Sequence, residues 1–364
     1  MNRKQFLKRS AVLATALALP RTILSRVPPI SSSKRVLVLG GTHFLGPAIV
    51  QAAIAAGHSV TLFNRGVTHP EFFPHLEKLR GYRAPVPAEQ NVSALGRRQW
   101  DVVIDVWPYD PAVVESMAEY FKDLTAHYMF VSSIAAYDPS NFSKPDIDET
   151  APMAPWDGPA RIYVRGKAES ERRLTRILGD KLTIVRPGPI KGNLDNTPDL
   201  WTWLFRAQSG GTHIGPGDGS EYIQTVDAQD VAGFLMLAIE QRIFGLFNVT
   251  GRAVPFRDFL EQCKSAMRSR AEFVWVGKEF LDERKLINEQ NFPLWRPRPD
   301  TREVFHISCQ KAFGVGWRTR AFEETAKDCV NFYRSLEPVF FDWTDPLSPE
   351  TEAQVIAEWS RRSR

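Results

Sequence analysis

The sequence predicts an α/β protein, a doubly wound parallel sheet followed by a smaller C-terminal cap. Two observations carry this. Apolar, β-branched runs alternate with helical patterns through the first 250 residues. The first run, Arg35-Val36-Leu37-Val38-Leu39, enters the glycine turn Gly40-Gly41-Thr42-His43-Phe44-Leu45-Gly46, which opens an alanine-rich helical segment from Pro47 to Ala56. A strand, a glycine turn and a helix start in that order form a dinucleotide site. Backbone N–H groups at the helix start meet the pyrophosphate, and glycines let the backbone approach closely.

The remaining elements follow in sequence. Strands are predicted over 59–63, 102–106 and 128–131, with a helix over 111–122 between the last two; such near-continuous apolar strands belong to a parallel sheet covered on both faces. Residues 138–159, rich in Pro, Asp and Ser, read as a loop. A helix over 163–178 stops at Gly179, and a strand over 182–185 runs into Arg186-Pro187-Gly188. A helix over 226–239 and a strand over 245–250 return the chain to the sheet. The division expected is an export signal and linker over 1–30, the dinucleotide domain over 31–188 and 223–250, the cap over 189–222 and 251–345, and a tail over 346–364.

The candidate chemistry lies between the strand over 128–131 and the helix that follows. A Ser132-Ser133 pair ends the strand, and the helix begins Tyr163-Val164-Arg165-Gly166-Lys167. Tyr163 and Lys167 stand four apart and share one helical face. An ammonium beside a phenol lowers the phenol pKa, which would make Tyr163 an acid/base near neutrality. Together with the glycine turn, these residues point to hydride chemistry.

At these residues the chain resembles the extended short-chain dehydrogenase/reductases, the NAD-dependent epimerase/dehydratase family with its Rossmann-type fold. It is similar above all to the atypical branch that includes the chloroplast stem-loop binding proteins. The likeness runs from about residue 34 to about 335. It rests on the glycine turn and on the stretches 60–66, 130–137, 163–167, 186–188 and 227–232. Counting back four places from Tyr137 selects Ser133 over Ser132 as the family's serine. The resemblance implies that Tyr163 exchanges a proton with the substrate oxygen, Ser133 hydrogen-bonds that oxygen, and Lys167 holds the nicotinamide ribose and tunes Tyr163. It places the cofactor on Gly40 to Gly46, Asn64, Arg65, Lys167 and Pro187.

Departures from the family pattern shape the cofactor expectation. His43 fills the place of the middle glycine. The second strand ends Phe63-Asn64-Arg65 without the carboxylate that would accept from both ribose hydroxyls of NAD, and a cation suits a 2′-phosphate. NADP is therefore expected over NAD. The third strand ends Gly81-Tyr82-Arg83, without an Asp for the adenine. In nucleotide-sugar enzymes of the family, an Arg usually stands four places beyond the last Gly of the Gly-Asp-Gly turn; here Ile223 does, and it cannot pair with a phosphate. A small sugar-like or other carbonyl or alcohol substrate is expected, bound by Trp107, Trp201, Arg206 and Tyr222. Trp107 is favoured because it follows a strand at its carboxyl end.

Composition bounds the alternatives. The chain of 364 residues is long enough for a large buried core, with the 43% hydrophobic and 24% charged content of a globular protein. Arg3, Lys4, Lys8, Arg9, Arg21 and Arg26 precede any acid, and removing these six cations takes the formal charge from +4 to −2. The leader is a basic stretch, then an apolar run over 11–20, then Ala16-Leu17-Ala18: an export signal. Arg3-Lys4-Gln5-Phe6-Leu7-Lys8 resembles the twin-arginine motif, so the translocase of that route is an expected partner and the periplasm the expected compartment. A cytoplasmic protein, or one tethered by an uncleaved N-terminus, is the alternative. The mature chain lacks a basic excess to attract nucleic acid. Cys263, Cys309 and Cys329 form no disulfide framework, and no metal-ligand spacing is present. The leading expectation is an NAD(P)-dependent oxidoreductase or epimerase, which a homodimer would suit. A non-catalytic nucleotide-sensing or RNA-binding relative and an envelope protein with a vestigial site are the competing classes.

Overall fold

A computed structural model describes residues 32–84, 90–106, 110–158, 160–336 and 344–362. Its centre is a sheet of seven parallel strands: β1 (Arg35–Leu39), β2 (Ser59–Asn64), β3 (Glu77–Arg80), β4 (Trp100–Asp105), β5 (Thr125–Val131), β6 (Leu182–Arg186) and β7 (Gly245–Asn248). The strand order is β7-β6-β5-β4-β1-β2-β3. Leu39 of β1 is in register with Phe63 of β2 on one side and Asp105 of β4 on the other. The order reverses between β1 and β4, so the crevice beyond their carboxyl ends is the topological switch point where open α/β sheets bind ligands.

Alternating residues of each strand serve opposite faces. Val36, Val38 and Ile104 pack against Ile49 and Val50 of α1 (Leu45–Ala55) and against Val231 and Leu235 further along the chain. Leu37, Leu39 and Val103 pack against Met117 and Phe121 of α2 (Pro111–Phe121) and Leu174 of α3 (Ile162–Leu178). Each such side chain contributes about 1.5–3 kcal/mol on burial, which explains why these runs carry almost no polar residue. Asp110 caps α2 by accepting from Ala112 N at 3.0 Å. Asp227 likewise caps α4 (Ala228–Gln241) from Gln229 N at 2.7 Å.

A second apolar cluster joins the helices Asp199–Ser209, Phe256–Met267 and Phe322–Ser335. Beside them, the strands Thr212–Pro216 and Glu272–Val276 pair in parallel. The segment expected as a tail belongs to this cluster. Leu347 and Val355 are buried in it. On the helix Pro349–Arg362, the buried Glu352 carboxylate accepts from Ile214 N at 3.0 Å and pairs with His213 at 2.8 Å. The three cysteines are free and buried. The export segment 1–30 lies outside the described residues. Among those residues, no helix is long and apolar enough to cross a membrane.

Candidate active site

The glycine turn sits at the switch point in a backbone conformation that only glycine adopts easily. Gly40 and Gly41 have φ of +127° and +92°. A Cβ on Gly40 would stand 2.7 Å from a Val106 methyl, and one on Gly46 would stand 2.7 Å from Gly41 Cα. The turn is therefore folded directly onto the first turn of α1. Thr42 is buried beneath it and His43 is exposed. Phe44, at the N-cap with φ of +49°, gives α1 no side-chain cap, and its first turn holds no acid. The positive end of the helix dipole thus faces the crevice without a side-chain anion, which suits a phosphate.

Asn64 braces the turn. Its amide donates to Gly40 O at 3.1 Å, and its Oδ1 accepts from Gly66 N at 2.9 Å and from Arg80 Nη1 at 2.6 Å. Arg65 is exposed beside it. Arg80, in register with Asn64, adds a second guanidinium at that strand end. The sequence signal for it, a basic residue just before Gly81, was present but uninterpreted. Arg83 reaches back across the sheet edge to Asp105, with Nη1 2.7 Å from Oδ1. Asp105 is fully buried and also accepts from the Tyr128 hydroxyl at 2.7 Å. Neither Arg83 nor Asp105 was assigned a role from sequence, although an acid closing an apolar strand marks a special position. Trp107 lies outside the described residues.

Ser133 and Tyr163 come together. Ser132 N donates to Val185 O at 2.8 Å and Ile134 N to Pro187 O at 3.0 Å, which seats the serine pair and Pro187 side by side. Ser133 Oγ accepts from Ala135 N at 3.1 Å, and the hydroxyl lies close enough to the Tyr163 phenol to act on it. Although the residue is 40% exposed, desolvation of the hydroxyl raises the Tyr163 phenol pKa, with the Ser133 hydroxyl opposing that shift. The expected lowering by Lys167 therefore does not prevail. The Lys167 side chain is buried, with Nζ donating to Val131 O at 2.7 Å and lying 4.8 Å from the centre of the Phe130 ring. Burial drives its pKa down to about 7, against the pull of the Asp105 and Glu171 carboxylates. A lysine that is itself half-neutral near pH 7 is a weak electrostatic lever on its neighbour.

A buried polar chain backs these residues. The Ser132 hydroxyl donates to Glu171, one helical turn beyond Lys167. Arg186 binds Glu171 through Nε at 3.0 Å and Nη2 at 2.6 Å, and its guanidinium lies 4.2 Å from the centre of the Tyr137 ring. The Tyr137 hydroxyl donates to Asn248 Oδ1 at 2.8 Å, and burial pushes its own pKa up to about 12.

Two expected substrate residues are not at the crevice. Trp201 is only 3% exposed and stacks on Tyr333 at 5.1 Å. Arg206 is fully buried, bound to Asp345 at 2.6 and 2.7 Å and lying 4.9 Å from the centre of the Trp203 ring. Both lie on the inward face of the helix Asp199–Ser209 and pack the second cluster. Tyr222 is half-buried and stacks on His306 at 4.5 Å. The large apolar residues exposed around the start of α3 are instead Trp156, Ile162 and Tyr163 itself. Among the described residues, no group of His, Cys, Asp and Glu could hold a metal ion.

Strand order, glycine turn and switch-point crevice define a doubly wound α/β protein of the Rossmann class. The model of the NAD dependent epimerase/dehydratase family matches residues 36–250, and the chain belongs to that family. It is 29% identical over 332 residues to the chloroplast stem-loop binding protein of 41 kDa b of Arabidopsis thaliana, covering 82% of this chain and 85% of that protein. A human epimerase family protein, SDR39U1, is 25% identical over 65% of this chain and 82% of its own length. Among solved structures, a putative epimerase from Burkholderia cenocepacia superposes with a TM-score of 0.64 at 20% identity, over 83% of this chain and 99% of that one. The Bordetella bronchiseptica enzyme WbmG, solved with NAD, gives 0.61 at 15% identity, over 86% and 99%. At these identities the two structures speak for the fold.

Proposed function

We propose that the protein is an NAD(P)-dependent oxidoreductase or epimerase acting on a small sugar-like or other carbonyl or alcohol substrate. The observation that carries this reading is the Ser133–Tyr163 hydroxyl pair beside Lys167, at the carboxyl edge of the sheet. The glycine cradle, which a Cβ would fill, and the uncapped start of α1 fit a dinucleotide diphosphate. When bound, the nicotinamide supplies the hydride chemistry. Tyr163 holds or gives the proton at the substrate oxygen, Ser133 steadies that oxygen, and Lys167 holds the ribose hydroxyls. The substrate enters past Trp156 and Ile162. Ile223 is buried, at 1% exposure, and offers no charge to a diphosphate, so a substrate without a nucleotide is favoured.

NADP is proposed over NAD, because Arg65 and Arg80 stand where a 2′-phosphate would lie and no carboxylate closes β2. Calorimetric titration of both cofactors should show tighter NADP binding, with the margin reduced by Arg65→Ala. Tighter NAD binding, or an unchanged margin in that variant, would count against the preference.

Lys167 also gives a pH signature. Its folded-state pKa, lowered to about 7, means that the ammonium is present below about pH 7 and lost above it. Cofactor affinity held by that ammonium should therefore weaken as pH rises through about 7. In Lys167→Arg, whose guanidinium stays charged, the inflection should disappear. Titrations from pH 6 to 8.5 that show a flat parent profile would contradict this.

Export through the leader remains part of the proposal. A periplasm-dependent reporter fused to residues 1–33 should give signal, and silence in a strain lacking the twin-arginine translocase would assign the route. Signal that persists there points to general secretion. A reporter silent in the parent strain as well would refute export.

A further inference from the structure

A cavity of about 690 Å³ lies between the exit of β7 and the segment over 306–318, and neither Tyr163 nor the glycine turn lines it. Its size is that of a small-molecule site. Arg252, Arg318, His306, Asp146, Gln224 and Phe313 are among the residues that line it.

Its charges are unevenly matched. The Arg252 guanidinium lies 5.6 Å from the centre of the Phe313 ring. That ring is backed by Trp317, stacked at 5.3 Å, so the guanidinium is oriented by aromatic contact. Arg318 Nη1 is fixed by two carbonyls, Phe313 O at 3.0 Å and Trp317 O at 2.6 Å. Among the described residues, neither arginine has a carboxylate partner. Some other surface arginines do, as in Arg98–Glu77, Arg284–Glu358 and Arg362–Glu283. Of the carboxylates nearby, Asp146 also lines the cavity and lies 3.7 Å from His306, and Glu303 lies 3.4 Å from the same ring.

The floor offers little competition for a ligand. The Gln224 amide nitrogen is spent on Gly251 O at 2.7 Å and Ile307 O at 2.8 Å, and its oxygen accepts from Ile307 N at 3.0 Å. The charged donors that line the cavity are the two guanidiniums, whose planar forks match phosphate oxygens, with the Ser308 hydroxyl and the Gln310 amide beside them. Two guanidiniums without an ion pair of their own outnumber the one carboxylate of the lining and suit a dianion, and the volume leaves room for an organic body beyond it. We propose that this cavity binds a phosphate monoester of sugar-phosphate size, its phosphate held between Arg252 and Arg318.

The test is calorimetry on the full chain with glucose 6-phosphate, with glucose and inorganic phosphate as controls. Glucose 6-phosphate should bind saturably and more tightly than inorganic phosphate, and glucose should not bind. Arg252→Gln and Arg318→Gln should each weaken binding roughly tenfold or more. Both arginines are exposed, so each variant should keep the parent melting temperature and NADP affinity. The proposal is overturned by absence of saturable binding, by binding that both variants retain, or by competition with NADP, which would place the phosphate on the glycine turn. Glucose or inorganic phosphate binding as tightly as glucose 6-phosphate would overturn it too.

Discussion

Tyr163→Phe is expected to lower turnover by about 10²–10⁴-fold, the usual contribution of a positioned proton donor, while cofactor affinity stays near that of the parent. The phenol is raised in pKa by desolvation, so it is protonated throughout the neutral range and suited to donate to a carbonyl oxygen. Ser133, close beside it, is placed to share the same oxygen. Ser133→Ala should therefore act mainly on turnover. Lys167→Ala should damage turnover and cofactor affinity together, because the same side chain is proposed to hold the ribose. A panel of sugars, keto-sugars and aromatic carbonyls, followed by nicotinamide absorbance, supplies the substrate for this comparison. Full turnover by Tyr163→Phe on that substrate would remove the mechanism.

Glu171→Gln is expected to destabilise the fold by about 3–5 kcal/mol, the cost of leaving a buried charge without its partner. Arg186 and Glu171 are both almost wholly buried, at 1% and 2% exposure. Their contact is bidentate, and the Ser132 hydroxyl uses the same carboxylate. The glutamine keeps the shape, removes the charge and turns one acceptor oxygen into an NH2 donor facing the Arg186 and Ser132 donors, so packing loss contributes little. Glu171→Leu combined with Arg186→Met should recover most of the stability, since apolar replacement of a whole buried pair is often neutral or better. Urea unfolding, read as a midpoint shift at unchanged slope, measures both. A shift equivalent to less than about 1 kcal/mol in the single variant would show that the pair does not carry this cost.

The parts of this molecule legible in its sequence are those encoded locally. The glycine turn needs glycines wherever φ is positive, and the strand before it must be apolar on both faces. Both requirements are written into consecutive residues. Ser133 and Tyr163, though 30 apart, were found through the stretches on either side of the 138–159 loop. What was not legible depends on partners far along the chain. Arg206 read as a ligand residue because the acid that neutralises it, Asp345, stands 139 residues away. Trp201 read as a pocket aromatic because its neighbour Tyr333 was invisible to spacing. Arg80 and Asp105 went unassigned for the same reason: strand register brings one to Asn64, and a side-chain contact from beyond the end of β3 brings Arg83 to the other. The Lys167–Tyr163 spacing was correct, yet helical spacing could not show that the Lys167 amine turns onto the Val131 carbonyl.

The clasp between Glu352 and the strand at residue 214 also imposes a timetable on biosynthesis. The two partners are separated by 138 residues. At about 5–20 residues per second, a ribosome delivers the second roughly seven to twenty-eight seconds after the first. Through that interval the edge at Ile214 stands uncovered, while every strand from β1 to β6 has already been made. The nascent chain thus carries a sheet ready to assemble beside a lobe that must wait, and the waiting edge is the natural place for a chaperone to hold.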